Sequence, residues 1–362
     1  MKVGLLAPPW VPVPPPSYGG TEAVVDRLAR GLVEAGHEVL LFAPGDSTCP
    51  VPTVAKSLPA RPEHIGLTTV ELAHVIRGHD CLSECDIVHD HTLAGPVIGK
   101  RHGAPPLVTT SHGPFTPEVS DVYRSFARRV PIIAISHAQA VGASQQGIHV
   151  ATVIHHGLDV DEVTPGSGNG GYAVFLGRMH PDKGADVAAR VARAAGMPLR
   201  IAAKMREPAE REWFEACVKP LLGSDVEYVG ELNRADTLEL LQGAVAMLNP
   251  IRWCEPFGLV MVEALSAGTP VLAFPNGAAP EIVEDGVTGF LCADEHEMTV
   301  RLKEVDQLNR NECRDAVRTR FCTSRVVADH VALYQHVIAS GGQSRPRVDE
   351  ARARPPRPQP VR

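Results

Sequence analysis

The stretch AVAMLNPIRWCEPFGLVMVEALSAGTPVLAF, from Ala244 to Phe274, holds a complete strand–helix–strand unit. Its first apolar run, Ala244–Pro250, is typical of a buried parallel strand. We expect the helix to begin near Gly258 and to end at Gly268, because glycine commonly terminates helices. Pro270 then opens the second strand. Parallel strands need a crossover connection of this kind, so the unit predicts a parallel sheet.

The same alternation runs along most of the chain and is interrupted once, by the glycine-rich segment LDVDEVTPGSGNGGY (Leu158–Tyr172). The apolar runs before the interruption are KVGLLAP, HEVLLFAP, DIVHDH, PLVTTSHG, PIIAIS and ATVIHHG, and those after it are AVFLGRM, LRIAAK, VEYVGEL, AVAMLNP, TPVLAF and GFL. Helical stretches separate most of these runs, which indicates two doubly wound α/β sheets joined by a linker.

The sequence therefore predicts two domains that face a central cleft. We place the first at residues 1–165 and the second at 166–323, and we expect a final helix over 324–340. Residues 341–362 are rich in Arg and Pro and have almost nothing to bury, so we expect a disordered tail.

Composition restricts the classes of function. The chain has 362 residues, a net charge of −7 and a pI of about 6.1, so nothing favours a nucleic acid partner. The eight cysteines are scattered and match no zinc pattern. We interpret them as reduced thiols of a cytoplasmic protein, with neither a signal peptide nor an integral membrane segment.

Residues that suit an anionic ligand lie where strands end. Gly19 and Gly20, in SYGGTE, allow close backbone approach and precede a helix whose first N–H groups favour an anion. The motif is not a dinucleotide fingerprint, which disfavours NAD. Arg178 and Lys183, in FLGRMHPDKGAD, follow the first strand of the second half. A guanidinium and an ammonium at such a strand end suit a diphosphate.

Two glutamates, Glu255 and Glu263, stand with seven residues between them. Glu255 precedes a proline and so belongs to the loop, whereas Glu263 lies within the helix. Carboxylates accept hydrogen bonds from hydroxyl pairs, as on a ribose or a hexose. An acidic helix cap is the alternative, and it explains one glutamate more easily than both.

These motifs resemble those of the retaining family 4 glycosyltransferases. The resemblance rests on EPFGLVMVE with ALSAGTPV and PEIVEDGVTGFL, on GRMHPDKG, on YGGTEAVVDRLARGLVEAGHEV and on DIVHDHT, and it extends in the family's order to about Ser340. It implies the GT-B fold: two Rossmann-like domains, with the last helix crossing back to the first. The start PPPSYGGTE is similar to a subgroup that includes an antibiotic-pathway sugar transferase.

The resemblance also implies roles for individual residues. Glu255 would hold hydroxyls of the donor sugar, and Glu263 would hold the nucleotide ribose. Arg178 and Lys183 would clamp the diphosphate and stabilise the leaving charge. His112, in TTSHG, matches the family's cleft histidine near the donor sugar.

The backbone would supply the rest of the donor site. Gly19 and Gly20 would approach the phosphate from the first domain. Backbone N–H groups would line the sugar and the phosphates at Phe257, Gly258, Leu259 and Val260.

We predict no metal ligands. Asp159 and Asp161 spell a D-x-D motif, but we interpret them as caps in the linker. His91, in HDHT, is expected at the cleft, where it would touch the acceptor. Helix dipoles and the two cations would neutralise the diphosphate without a metal.

Peripheral membrane contact has one candidate, the arginines around Phe126 in YRSFARRVP (Tyr123–Pro131). With the negative net charge, a solvated helix face is the better interpretation.

The predicted function is metal-independent, retaining transfer of a hexosyl group from a UDP- or GDP-linked sugar. The acceptor hydroxyl would belong to a small molecule, a glycan or a lipid-linked sugar. The alternatives are a nucleotide-sugar 2-epimerase or a sugar phosphorylase on the same fold, and then a non-enzymatic sugar-binding protein. The paired glutamates and the cation clamp disfavour the last of these.

Overall fold

The computed structural model describes residues 1–17, 19–54, 57–99 and 103–341. The predicted disordered tail lies outside these residues, except for its first residue, Gly341.

The first half of the chain folds around a six-stranded sheet. Its strands are β1 (Lys2–Leu6), β2 (Glu38–Phe42), β3 (Ile87–Asp90), β4 (Leu107–Thr110), β5 (Ile132–Ala134) and β6 (Thr152–Val153). All neighbouring strands are parallel, in the order β2-β1-β3-β4-β5-β6. Every strand lies within an apolar run that the sequence indicated, because strands buried on both faces read as near-continuous apolar segments.

The second half forms a sheet of equal size. Its strands are β7 (Ala173–Arg178), β8 (Leu199–Lys204), β9 (Val226–Gly230), β10 (Ala246–Asn249), β11 (Val271–Ala273) and β12 (Gly289–Leu291). These are also parallel, in the order β12-β11-β10-β7-β8-β9. The predicted α/β class with two doubly wound, Rossmann-like sheets is confirmed.

Helices connect the strands and cover the faces of both sheets. They are α1 (Gly20–Glu34), α2 (Thr68–Cys81), α3 (Gly95–Ile98), α4 (Pro117–Phe126), α5 (His137–Gln145), α6 (Ala185–Ala195), α7 (Pro208–Trp213), α8 (Arg234–Gly243), α9 (Leu259–Ser266), α10 (Ala279–Ile282), α11 (Glu295–Leu302), α12 (Arg310–Arg320) and α13 (Thr323–Ala339). Alternating helices and parallel strands bury the sheets on both sides, which leaves the strand ends to bind ligands.

The strand order identifies where a ligand should sit. In the first sheet the strand order reverses between β1 and β3, and in the second sheet it reverses between β7 and β10. Ligands of open parallel sheets bind beyond the carboxyl ends of strands at such reversals. The loops that follow these strands carry Gly19 and Gly20 in the first domain, and Lys183 and Glu255 in the second.

The last helix packs against the first domain. α13 contacts α1 closely at Gly31, where an added Cβ would lie 2.6 Å from Val327. Leu333, Tyr334 and Val337 of α13 are buried in the core of the first sheet. The glycine in α1 therefore allows the two helices to approach, and the C-terminal segment closes the chain back onto its beginning.

The glycine-rich segment between the sheets is packed at its start rather than extended into solvent. The backbone N–H of Leu158 donates to Phe321 O at 2.9 Å, and Val160 and Val163 are buried in the core of the second domain. Asp159 stands at the N-cap of a short 3-10 turn but makes no capping hydrogen bond. Asp161 instead faces Arg318 at 3.4 Å, so the interpretation of these aspartates as caps is wrong.

Candidate active site

A cleft lies between the two sheets, at the carboxyl ends of their strands. Its cavity volume is about 450 Å³, within the roughly 300–1,000 Å³ range of small-molecule sites. Residues from both domains line it, and they include most of the side chains and backbone groups that the sequence analysis selected.

The first domain contributes the loop before α1. Gly19 and Gly20 both line the cleft. A Cβ at Gly19 would lie 2.6 Å from Pro15, so close packing of the loop requires glycine there. Nothing lies within 4 Å of a Cβ built at Gly20, so its backbone faces open space. A bound ligand can therefore reach the N-terminus of α1, as an anion at this position requires.

The second domain contributes the N-terminus of α9. Gly258 is its N-cap with a φ of 90°, in the left-handed region, and an added Cβ would lie 2.6 Å from Met261. Only glycine tolerates both conditions without strain. The four residues that were selected for their backbone N–H groups all line the cleft: Phe257, Gly258, Leu259 and Val260. The first N–H groups of a helix have no acceptor within it, so this turn presents donors to the cavity.

Lys183 and Glu255 meet in the cleft wall. The Lys183 ammonium forms an ion pair with Glu255 Oε2, and the side chains are 17% and 13% exposed. Trp253, which the sequence analysis missed, donates its indole N–H to the same oxygen at 2.9 Å. The Lys183 ammonium also lies 5.3 Å from the centre of the Trp253 ring. This arrangement holds a cation and a carboxylate beside the N-terminus of α9.

Glu263 faces a cation that comes from the other domain. Arg27 Nη2 of α1 lies 3.8 Å from Glu263 Oε1, and both residues line the cleft. Burial raises the pKa of Glu263, while the positive charges of Arg27 and Arg234 lower it. Burial likewise lowers the pKa of Arg27. Neither arginine was expected, although Arg27 follows Val24 by three positions and so shares the apolar face of its helix.

Arg178 faces two glutamates of its own domain. Its guanidinium lies 3.9 Å from Glu207 and 3.8 Å from Glu210, next to α7. Arg178 does not appear among the described residues that line the cleft, whereas Lys204 at the end of the neighbouring strand does. A role for Arg178 at the diphosphate remains a prediction.

His112 lies where expected, at the end of β4 on the cleft wall. Its ring stacks on His156 with centroids 5.3 Å apart. Burial, and secondarily the nearby His330, lower the pKa of His112 to about 3. The imidazole is therefore neutral across the physiological range, and it can exchange one hydrogen bond with a ligand without carrying charge.

His91 does not reach the cleft, which corrects the expectation that it touches an acceptor. It is 5% exposed and lies behind His112, with its Nδ1 atom 2.9 Å from His112 Nε2. The alternation of DIVHDH turns His91 toward the space beneath α1 and α13 rather than outward, and this space is formed only when the last helix packs back.

A polar contact closes one edge of the cleft. Arg206 of the second domain donates to Ser17 Oγ at 2.9 Å and forms a bidentate pair with Glu231. Glu231 itself lines the cleft. The contact joins the loop before α1 to the opposite domain, and nothing in the local sequence pattern indicated it.

One cluster among the described residues has donor atoms close enough for a metal ion: His137, His155 and Glu281, within 4.8 Å of one another. The Glu281 carboxylate accepts hydrogen bonds from the backbone N–H groups of His137 and Ala138 at 2.8 and 2.7 Å. It also lies 2.8 Å from His155 Nε2. The cluster therefore has a structural role, in which α10 of the second domain caps α5 of the first.

Other predictions concern the surface and the cysteines. Each of the eight cysteines is free. No helix in the described part of the chain is long and apolar enough to cross a membrane. In the basic stretch, Arg124 pairs with Asp121 and donates to Gln146 O, and Arg129 donates to Ser125 O. These local contacts favour the solvated helix face over membrane binding.

Comparison with known proteins agrees with this geometry. Residues 18–162 match the family model Glycosyltransferase Family 4, and residues 162–320 match the model Glycosyl transferases group 1. The D-inositol 3-phosphate glycosyltransferase of Mycolicibacterium smegmatis is 27% identical, over 94% of this chain and 89% of that protein.

Solved structures show the same likeness. AviGT4, a glycosyltransferase involved in avilamycin A biosynthesis, superimposes with a TM-score of 0.70 at 27% identity, covering 94% of this chain and 98% of that one. Anabaena HepE, solved with UDP and glucose, gives a TM-score of 0.74 at 21% identity, covering 92% and 99%.

Two facing Rossmann-like domains with a cleft of this design make the chain a GT-B glycosyltransferase. Within that class it belongs to glycosyltransferase family 4. It is therefore an enzyme that transfers a sugar, and the non-enzymatic alternative falls away.

Proposed function

We propose that this glycosyltransferase moves a hexosyl group from a UDP- or GDP-linked sugar to an acceptor hydroxyl, with retention and without a metal ion. The observation that carries the proposal is the pairing of Lys183 with Glu255 beside the N-terminus of α9. A cation and several backbone donors then converge on one side of a carboxylate that can accept sugar hydroxyls.

The donor would lie along the cleft in one direction. Its nucleotide end would contact Glu263. Its diphosphate would accept hydrogen bonds from the N–H groups at the start of α9 and pair with the Lys183 ammonium. Its sugar would then lie between Glu255 and His112. Preorganised positive charge of this kind stabilises the diphosphate as it leaves, which is usually the largest catalytic contribution.

The identities of donor and acceptor belong to the proposal. Anabaena HepE, which shares the fold, has been solved with UDP-glucose, so UDP-glucose is the first donor to test. The mycobacterial relatives are named for inositol 3-phosphate, which makes cyclitols one acceptor class beside other small molecules, glycans and lipid-linked sugars. Retention follows from the family resemblance, and the cytoplasmic location remains a prediction.

A thermal-shift panel tests the donor. A nucleoside diphosphate present at a hundred times its dissociation constant should stabilise the protein by about 2.7 kcal/mol. We expect UDP or GDP to raise the melting temperature and nicotinamide dinucleotides to leave it unchanged. Early product from the matching donor should then retain the anomeric configuration by NMR. An inverted product, a 2-epimer of the donor or phosphate-dependent release of the sugar would contradict the proposal.

A further inference from the structure

Beneath the cleft, His91 and His112 share one hydrogen bond. The distance between the two nitrogens does not tell which of them donates. His91 Nδ1 lies 2.9 Å from His112 Nε2. Both rings are buried enough to stay neutral, so one nitrogen carries the shared proton and the other accepts it. The direction decides what His112 offers to a ligand: a protonated Nδ1 or a bare one.

A small cavity behind His91 bears on that direction. Arg27, His91 and Thr323 line it, between α1, α13 and the first sheet. Each has a buried atom without a hydrogen-bond partner among the described residues: Arg27 Nη1, His91 Nε2 and Thr323 Oγ1. About 20 Å³ is open there to the centre of a water molecule, and one water needs roughly 10–15 Å³. The cavity therefore has room for one water, which the three unpartnered polar atoms would bind.

The donors and acceptors of this site favour one arrangement. Arg27 Nη1 can only donate, so a water in the cavity accepts from it. The water would then have two protons to give, and His91 Nε2 and Thr323 Oγ1 are acceptors in the cavity wall that have no other partner among the described residues. If His91 Nε2 were protonated instead, the cavity wall would hold two unpartnered donors, on Arg27 and His91, beside a single unpartnered acceptor, Thr323 Oγ1.

We propose that Arg27, Thr323 and one buried water fix His91 as a positioning residue, which donates from Nδ1 to His112 Nε2 and so presents His112 Nδ1–H to the cleft. His112 is then a hydrogen-bond donor to an oxygen of the substrate. It is not a general base, because neither of its nitrogens keeps a free lone pair.

This inference rests on the proposed transferase function only for its effect on turnover. The hydrogen-bond direction itself can be measured on the free enzyme, by long-range ¹H–¹⁵N correlation spectra of the ¹⁵N-histidine-labelled protein. His112 is assigned from its missing signals in a His112→Gln variant. We expect His112 to show a protonated Nδ1 and an unprotonated Nε2. The reverse pattern would overturn the proposal whatever the donor proves to be.

Substitutions at position 91 separate positioning from packing. In His91→Leu, nothing at position 91 should hold His112 in one tautomer. The variant should lower kcat about tenfold with the donor KM little changed, as for the loss of one hydrogen bond. His91→Asn keeps an N–H near the position of Nδ1 and should recover most of kcat. The matched control is His74→Leu, which removes another buried histidine, bonded to Ala7 O at 3.0 Å, and should change stability alone.

Two results would contradict the positioning role. One is a His112 tautomer that stays unchanged in His91→Leu. The other is a His91→Asn variant as slow as His91→Leu although it melts at the temperature of wild type. If His91→Leu does not fold, the spectrum of the wild-type protein still decides the direction of the bond.

Discussion

The ammonium of Lys183 and the carboxylate of Glu255 form an ion pair across 72 residues of sequence, with both side chains largely buried in the cleft wall. Lys183 follows β7 and Glu255 follows β10. The strand order of the second sheet reverses between these two strands. The pair therefore stands at the ligand position of the fold. A diphosphate that enters the cleft would share the Lys183 cation with Glu255.

Replacing Lys183 tests the contribution of that cation. Lys183→Ala should cut kcat by on the order of a hundredfold or more and weaken nucleoside diphosphate binding, since a preorganised charge partner is lost. Steady-state kinetics and calorimetry measure the two effects. Lys303→Ala, at an exposed lysine of the same domain, is the control. Unchanged kinetics and affinity in Lys183→Ala would remove the lysine from the site.

The raised pKa of Glu22 predicts that the free energy of unfolding depends on pH. Burial raises its pKa from 4.5 to about 7. Between these values the native state holds a proton that the unfolded state has lost, so stability is greatest below the window and falls as the pH rises through it. Glu22→Gln should therefore be more stable than wild type by up to about 3 kcal/mol at pH 8 and equal to it near pH 4.5.

Denaturant unfolding at the two pH values checks the prediction for Glu22. Glu34→Gln, at the exposed end of the same helix, is the control for replacing a glutamate of α1 by glutamine. A stabilisation of Glu22→Gln that is the same at both pH values would show that Glu22 titrates normally.

The lowered pKa of His112 predicts that this residue adds no inflection to the pH profile of kcat/KM between pH 5 and 8. Because burial lowers its pKa to about 3, the ring is already neutral at pH 5 and stays so at pH 8. The pH profiles of kcat/KM for wild type and His112→Gln should run parallel, with the variant lower throughout. An inflection between pH 5 and 8 that disappears in His112→Gln would mean that His112 titrates there.

Metal removal should leave activity intact. The proposed site neutralises the diphosphate with Lys183 and the N-terminus of α9, so no divalent cation is required. Initial rates after treatment with excess EDTA should match those of the untreated enzyme. If EDTA abolishes turnover and Mg²⁺ or Mn²⁺ restores it, the donor is bound through a metal and the assignment of Lys183 must change.

The fold was largely predictable from sequence because its strands are buried on both faces. Each apolar run became a strand, and glycine marked the ends of α9. The start of α9 near Gly258 was predictable for a different reason, because glycine suits the left-handed backbone that the N-cap adopts.

Pairings between domains were not predictable. Periodicity places Arg27 on the apolar face of α1, but its partner Glu263 follows from how the two sheets face each other. The burial of His91 likewise depends on α13, which returns from the far end of the chain. The orientation of Arg178 depends on the position of α7, whose carboxylates attract it.

The central claim is that Glu255 serves the reacting sugar and Glu263 serves the nucleotide. The most direct measurement is calorimetry with the free nucleoside diphosphate, beside steady-state kinetics with the sugar donor, on Glu255→Gln and Glu263→Gln. The exposed Glu227→Gln is the control. We predict that Glu255→Gln lowers kcat with diphosphate affinity little changed, and that Glu263→Gln weakens diphosphate binding by about 1–3 kcal/mol. Equal losses of affinity in both variants with kcat preserved would contradict this division, and a change in melting temperature alone would reduce the pair to a helix cap.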